Sequence, residues 1–94
     1  MDIAMSRSVV VVAGLLVVLT VSPARADARS EAKILVKFGI DVAQHGLWRE
    51  ATERFKRATA VDPKYAEAWN NLAIAYEQQG DPDSARDTYE KAIR

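Results

Sequence analysis

No cysteine occurs in the 94 residues. Its absence excludes thiol nucleophiles, disulfides, thiolate zinc sites and a lipid-modified N-terminal cysteine. Histidine is almost as scarce. His45 stands alone, so no second imidazole shares a metal, and a donor near a helix C-terminus simply suits the helix dipole. Neither charge sign is in excess, with 13 basic and 13 acidic side chains. That balance leaves no footprint for nucleic acid or a polybasic membrane patch. The four glycines never cluster into a phosphate-cradling loop. Ser30 and Ser84 have no base in recognisable register, and helix capping is their simpler role. Acidic and basic residues alternate in stretches such as "EATERFKR" (residues 50–57), the pattern of a solvated helix face. These absences point away from an enzyme and from any cofactor or bound metal.

One end of the chain is made of different material. Val9 to Val21, "VVVVAGLLVVLTV", carries no charge, with Arg7 before it and "SPARA" after it. A membrane-spanning helix needs about 20 apolar residues, and this run is shorter. It fits the apolar region of a secretory signal peptide, followed by helix-breaking Pro23 and by small residues at Ala24 and Ala26. We therefore expect residues 1–26 to be a signal peptide cut after Ala26, exporting the rest to the bacterial periplasm or outside the cell. Asp2 is out of place in a segment that should be positive, and a start at Met5 would remove it. Residues 27–94 would remain, 68 in all and with a net charge of −1. Without disulfides, their stability must come from packing.

The exported part repeats. Laid on itself at an offset of 34, it aligns Leu35 with Trp69, Phe38 with Leu72, Gly39 with Ala73 and Val42 with Tyr76. Gly46 meets Gly80, Ala51 meets Ala85, Phe55 meets Tyr89 and Ala58 meets Ala92. Size is kept better than identity, so the repeat encodes a shape. Leu35, Phe38 and Val42 lie at i, i+3 and i+7, one stripe of a helix, as do Trp69, Leu72 and Tyr76. Ala51, Phe55 and Ala58 offer an answering face on the next helix, as do Ala85, Tyr89 and Ala92. Gly46 and Gly80 suit left-handed helix ends. Asp62-Pro63 and Asp81-Pro82 each place a capping acceptor before a first-turn proline. Four helices are expected, near 30–45, 48–61, 64–79 and 82–94, with Leu47 a poor cap for the second.

The residues Trp69-x2-Leu72-Ala73-x2-Tyr76 and Ala85-x3-Tyr89 resemble the tetratricopeptide repeat signature. A looser copy reads Leu35-x2-Phe38-Gly39-x2-Val42 and Ala51-x3-Phe55, closing on Pro63. The resemblance covers residues 31–94. It implies an all-α, right-handed helical-repeat solenoid fragment of two antiparallel helix-turn-helix hairpins behind a signal-peptide helix. Repeat 1 would span about 32–65 and an incomplete repeat 2 about 66–94. It further implies that the first helix of each pair lines a concave groove. Lys33, Val36, Lys37, Ile40 and Gln44 would face it from the first repeat, and Glu67, Asn70, Asn71, Ile74, Glu77 and Gln78 from the second. A groove with an aliphatic axis and amide flanks suits a peptide or helix of a partner protein. One subgroup of the family grips a terminal carboxylate with basic and asparagine side chains. Val36 and Ile40 stand where that clamp wants lysine and asparagine, so the clamp is not expected here.

Two repeats are fewer than solenoids usually need, and the last helix would leave Tyr89 and Ile93 uncovered. The expected function is an exported protein-interaction module. The alternatives are a self-associating assembly component and a docking segment at the front of a longer exported protein.

Overall fold

The computed structural model of the protein describes residues 23–94. The apolar run and the expected leader fall outside the described residues, except for its last four positions. Four helices follow one another: α1 (Pro23–Gln44), α2 (Trp48–Val61), α3 (Ala66–Gln78) and α4 (Pro82–Ile93). Each packs on the next, and α1 also touches α3. The two hairpins therefore stack side by side as the solenoid fragment expected from the repeat.

The hairpin turns are built identically. After α1, Gly46 takes a φ of 76°, with its N–H on Ala43 O at 2.9 Å and the Leu47 N–H on Val42 O at 3.3 Å. After α3, Gly80 takes a φ of 79°, with its N–H on Glu77 O at 3.0 Å and the Asp81 N–H on Tyr76 O at 2.9 Å. This paired pattern satisfies the last carbonyls of a helix and needs a residue without a Cβ penalty at positive φ. Downstream the turns diverge. Asp81 caps α4 by accepting from the Ser84 N–H at 3.1 Å, ahead of Pro82. Leu47 precedes α2 without a side-chain cap.

Two helix starts differ from expectation. α1 is helical from Pro23, the first described residue, and so is already formed ahead of the expected start near residue 30. The peptide bond after Ala26 thus lies within α1. α3 begins at Ala66, because Asp62 does not cap it. The Asp62 carboxylate instead accepts from the Lys64 N–H at 3.1 Å, and its carbonyl accepts from the Tyr65 N–H at 3.1 Å. Such an aspartate-led turn competes with helix, and it uses up residues 63–65. The turn is then pinned from both sides. Arg29 pairs with Asp62 and lies 4.9 Å from the Tyr65 ring centroid, and the Trp69 indole N–H donates to Pro63 O at 2.8 Å.

Small residues let the helices close up. Ala51, Ala58, Ala68 and Ala75 are fully buried around Phe55, the largest completely enclosed side chain. A Cβ added to Gly39 would stand 2.4 Å from Phe55 Cε1. The bare Gly39 backbone is what admits the ring.

That contact also corrects the expected stripe on α1. Its buried residues are Ala32, Leu35, Val36 and Gly39, a band centred on the glycine. Successive residues turn by about 100°, so Phe38 is carried away and is 52% exposed. Its counterpart Leu72 is buried, because α3 has α2 on its preceding side. Among the described residues, no helix stands in that place beside α1.

Candidate functional site: a cleft between the first helices of the hairpins

On one side of the stack, α1 and α3 run next to each other over a cleft of about 290 Å³. Ile40, Ala43 and Gln44 enter from α1, and Asn71 and Ile74 from α3. Trp48 and Phe55 of α2 form the remaining wall and floor. Ile40 and Ile74 are related by the offset of 34, so the repeat itself brings two aliphatic side chains to facing walls. Both are half-buried, as are Ala43 and Trp48, and Gln44 is exposed at the rim. Asn71 donates its amide to Glu67 O at 2.8 Å. The bond holds the side chain along its own helix and leaves its oxygen to accept. The cleft therefore offers an apolar interior with carboxamide groups at its edge.

Of the residues expected to form the groove, Ile40, Gln44, Asn71 and Ile74 meet in it. Val36 does not. It is 3% exposed and belongs to the core, because the band centred on Gly39 turns it inward. Lys33, Lys37, Glu67, Asn70 and Gln78 are exposed and lie outside the cleft lining. Glu77 accepts from the Tyr89 hydroxyl of α4. By the offset of 34, Glu77 and Tyr89 stand where Ala43 and Phe55 stand in the first hairpin. The same face therefore continues toward α4 and changes from apolar to polar. The hydrogen bond to Glu77 holds the Tyr89 phenol above its ordinary pKa.

Sequence reasoning missed Trp48, Ala43 and Phe55 as parts of the cleft, having placed Phe55 only in the packing between helices. Trp48 falls on Pro82 at the offset of 34. A large aromatic in the first turn of α2, opposite a proline in the second copy, departs from the repeat, and that departure was the available signal. Elsewhere, among the described residues, no three of His, Cys, Asp and Glu stand close enough to hold a metal ion, and no helix is long and apolar enough to cross a membrane.

A family profile described as tetratricopeptide repeat matches residues 36–94. The chain belongs to the tetratricopeptide repeat family. Repeats of this family are protein-interaction modules. Two curated relatives carry the same kind of sequence. The heat-shock protein cognate (HSC) co-chaperone sgt12 of Aspergillus fumigatus is 42% identical over 48 residues, covering 51% of this chain and 14% of that protein. Tetratricopeptide repeat protein 36 of Caenorhabditis elegans is 37% identical over 59 residues, covering 63% of this chain and 33% of that protein. The chain thus spans a third or less of these relatives, and the likeness is one of repeat architecture.

Proposed function

We propose that the chain is an exported tetratricopeptide module whose cleft holds an apolar side chain from a peptide or helix of a partner protein. The observation that carries this reading is the meeting of Ile40 and Ile74 over Trp48 and Phe55, with Gln44 and Asn71 beside them. Apolar anchors in such a cleft contribute the binding energy, while rim amides satisfy the partner's backbone and fix its direction. The co-chaperone relative does not extend this reading to a carboxylate clamp. Val36 is in the core and Ile40 is aliphatic, so the residues present favour an apolar anchor over a charged tail. Export rests on the sequence pattern from Arg7 to Ala26.

Capture of partners from the exported compartment tests the cleft, comparing the parent with Ile40→Asp and Ile74→Asp. A partner lost with either substitution, and kept with the surface change Asn70→Asp, is the expected result. A partner retained by both aspartate variants, with helical content intact, overturns the reading. Mass measurement of the protein from that compartment should give Asp27 as its first residue, and an unprocessed chain removes the leader.

A further inference from the structure

Lys33 and Lys37 lie outside the cleft lining but on its side of α1. Successive residues of a helix turn by about 100°. Lys33, Lys37, Ile40 and Gln44, at i, i+4, i+7 and i+11, therefore make one narrow stripe. The offset of 34 sets Glu67, Asn71, Ile74 and Gln78 on the matching stripe of α3. Ile40 and Ile74 meet in the cleft. From there toward the helix N-termini the two sides differ in charge. α1 presents two ammonium groups, both on exposed residues. Among the described residues the ion pairs are Arg29–Asp62, Glu53–Lys56 and those of Arg86 with Asp83 and Asp87, so neither lysine is engaged. The groups on α3 are already held. The Asn71 amide donates to Glu67 O at 2.8 Å, and the Glu67 carboxylate accepts from the Tyr65 hydroxyl at 2.5 Å. The uncommitted charge beside the cleft is positive and runs along α1.

We propose that the occupant of the cleft is an amphipathic helix of a partner protein, with an apolar side chain between Ile40 and Ile74 and carboxylates, one and two turns from that anchor, on the edge facing α1. This charge pattern rests on the reading of the cleft as an anchor site. At a rise of 1.5 Å per residue, Lys37 stands about 4.5 Å and Lys33 about 10.5 Å along α1 from Ile40. A helix laid alongside has the same rise, so its residues three or four and seven from the anchor reach both levels on one face. An extended chain returns to the same face about every 6.7 Å, which falls between the two lysines. Glu67, on the opposite stripe, disfavours carboxylates there, so the acidic edge belongs over α1. Burial of the anchor supplies most of the affinity, and the exposed lysines chiefly steer and orient the helix.

The probes are dye-labelled, alanine-based peptides of about 20 residues, long enough to hold a helix, each with one central leucine. One carries glutamates four and seven residues before the leucine, a second four and seven residues after it, and a third has glutamines at all four places. Fluorescence anisotropy reads their binding to the full chain. At low salt one glutamate peptide should bind several-fold more tightly than the glutamine peptide, and added salt should shrink the advantage. The advantage should vanish with Lys33→Gln and Lys37→Gln together and reverse with Lys33→Glu and Lys37→Glu. Leucine-to-alanine versions should bind more weakly throughout. Equal binding of glutamate and glutamine peptides overturns the charge pattern, as does an advantage that survives loss of both lysines. An acidic peptide interrupted by proline that binds as tightly as the helical one removes the helix. Self-association of the full chain that is lost with Ile74→Asp would make a second copy the occupant instead. If no peptide binds while a captured partner is still lost with Ile40→Asp, the acidic helix fails and the anchor site stands. A partner indifferent to Ile40→Asp means that the anchor site itself has failed.

Discussion

Replacing Gly39 with alanine sets two effects of opposite sign against each other. Glycine in a helix interior costs about 1 kcal/mol relative to alanine, and on that ground the change should stabilise α1. The added Cβ, however, would stand 2.4, 2.7 and 2.9 Å from three carbons of the Phe55 ring. Carbon contacts are favourable only from about 3.5 Å, so the ring or the helix must retreat by roughly 1 Å. Phe55 is 1% exposed and packed among alanines, and it has no loose end to swing aside. Overpacking of this kind costs about 1–3 kcal/mol, and three close ring contacts put it in the upper part of that range. The net expectation is a loss of about 1–2 kcal/mol, or roughly 4–16 °C in melting temperature for a domain this small. Thermal and urea denaturation followed by circular dichroism measure it. Phe55→Leu in the same chain makes room, so the double variant should lose less than the two single changes added together. A Gly39→Ala protein at least as stable as its parent would refute the reasoning, because Phe55 would then not need the bare backbone.

Gly46→Ala and Gly80→Ala probe the backbone alone, since nothing lies within 4 Å of either added Cβ. Both should cost about 1–2 kcal/mol through the left-handed conformation, and nearly the same amount as each other; unequal urea midpoints would break the equivalence of the turns. In acid, the hydrogen bond from Arg29 holds the Asp62 carboxyl below its usual pKa, and the bonds from Ser84 do the same for Asp81. A depressed folded pKa contributes stability that is present above the unfolded value of about 3.9 and lost as pH falls through the folded value. Asp62→Ala and Asp81→Ala should therefore flatten the decline of urea midpoint with falling pH below about 4, and an unchanged slope would count against both bonds. In alkali the sign reverses, because the Tyr89 phenol is raised by its bond to Glu77. Its contribution is complete below about pH 10 and lost as pH rises through the folded value, so ultraviolet titration should lack one late-ionising phenol in Tyr89→Phe and show that phenol ionising earlier in Glu77→Gln.

The architecture could be read before any coordinates because it is periodic. Gly46 and Gly80, Ala51 and Ala85, and Phe55 and Tyr89 recur at one offset, and each pair fixes a local feature that depends on side-chain size or backbone freedom. Helix starts were less legible where a polar residue had two local uses. Asp62 and Asp81 both precede proline, yet one caps a helix and the other folds a turn. The choice depends on Arg29, which lies 33 residues away from Asp62. Half of the cleft was also visible. Ile40 and Ile74 follow from the repeat, whereas Trp48 belongs to no repeated pattern and becomes a wall only because α2 brings it beneath α1.

What the sequence determined by itself is therefore the unit: a hairpin of two amphipathic helices, its glycine-ended turn, and the translation that generates the next one. Those features arise from neighbours a few residues apart, and their energies are local. The direction in which each face points was decided only in the tertiary structure. Phe38 and Leu72 occupy the same place in the repeat, but one is 52% exposed and the other 4%. The difference is whether, among the described residues, a preceding helix stands beside them, and no single unit encodes its own neighbour. A second tertiary contact moved Val36 from the groove to the core, once Phe55 had settled against Gly39 and fixed how far α1 is rotated.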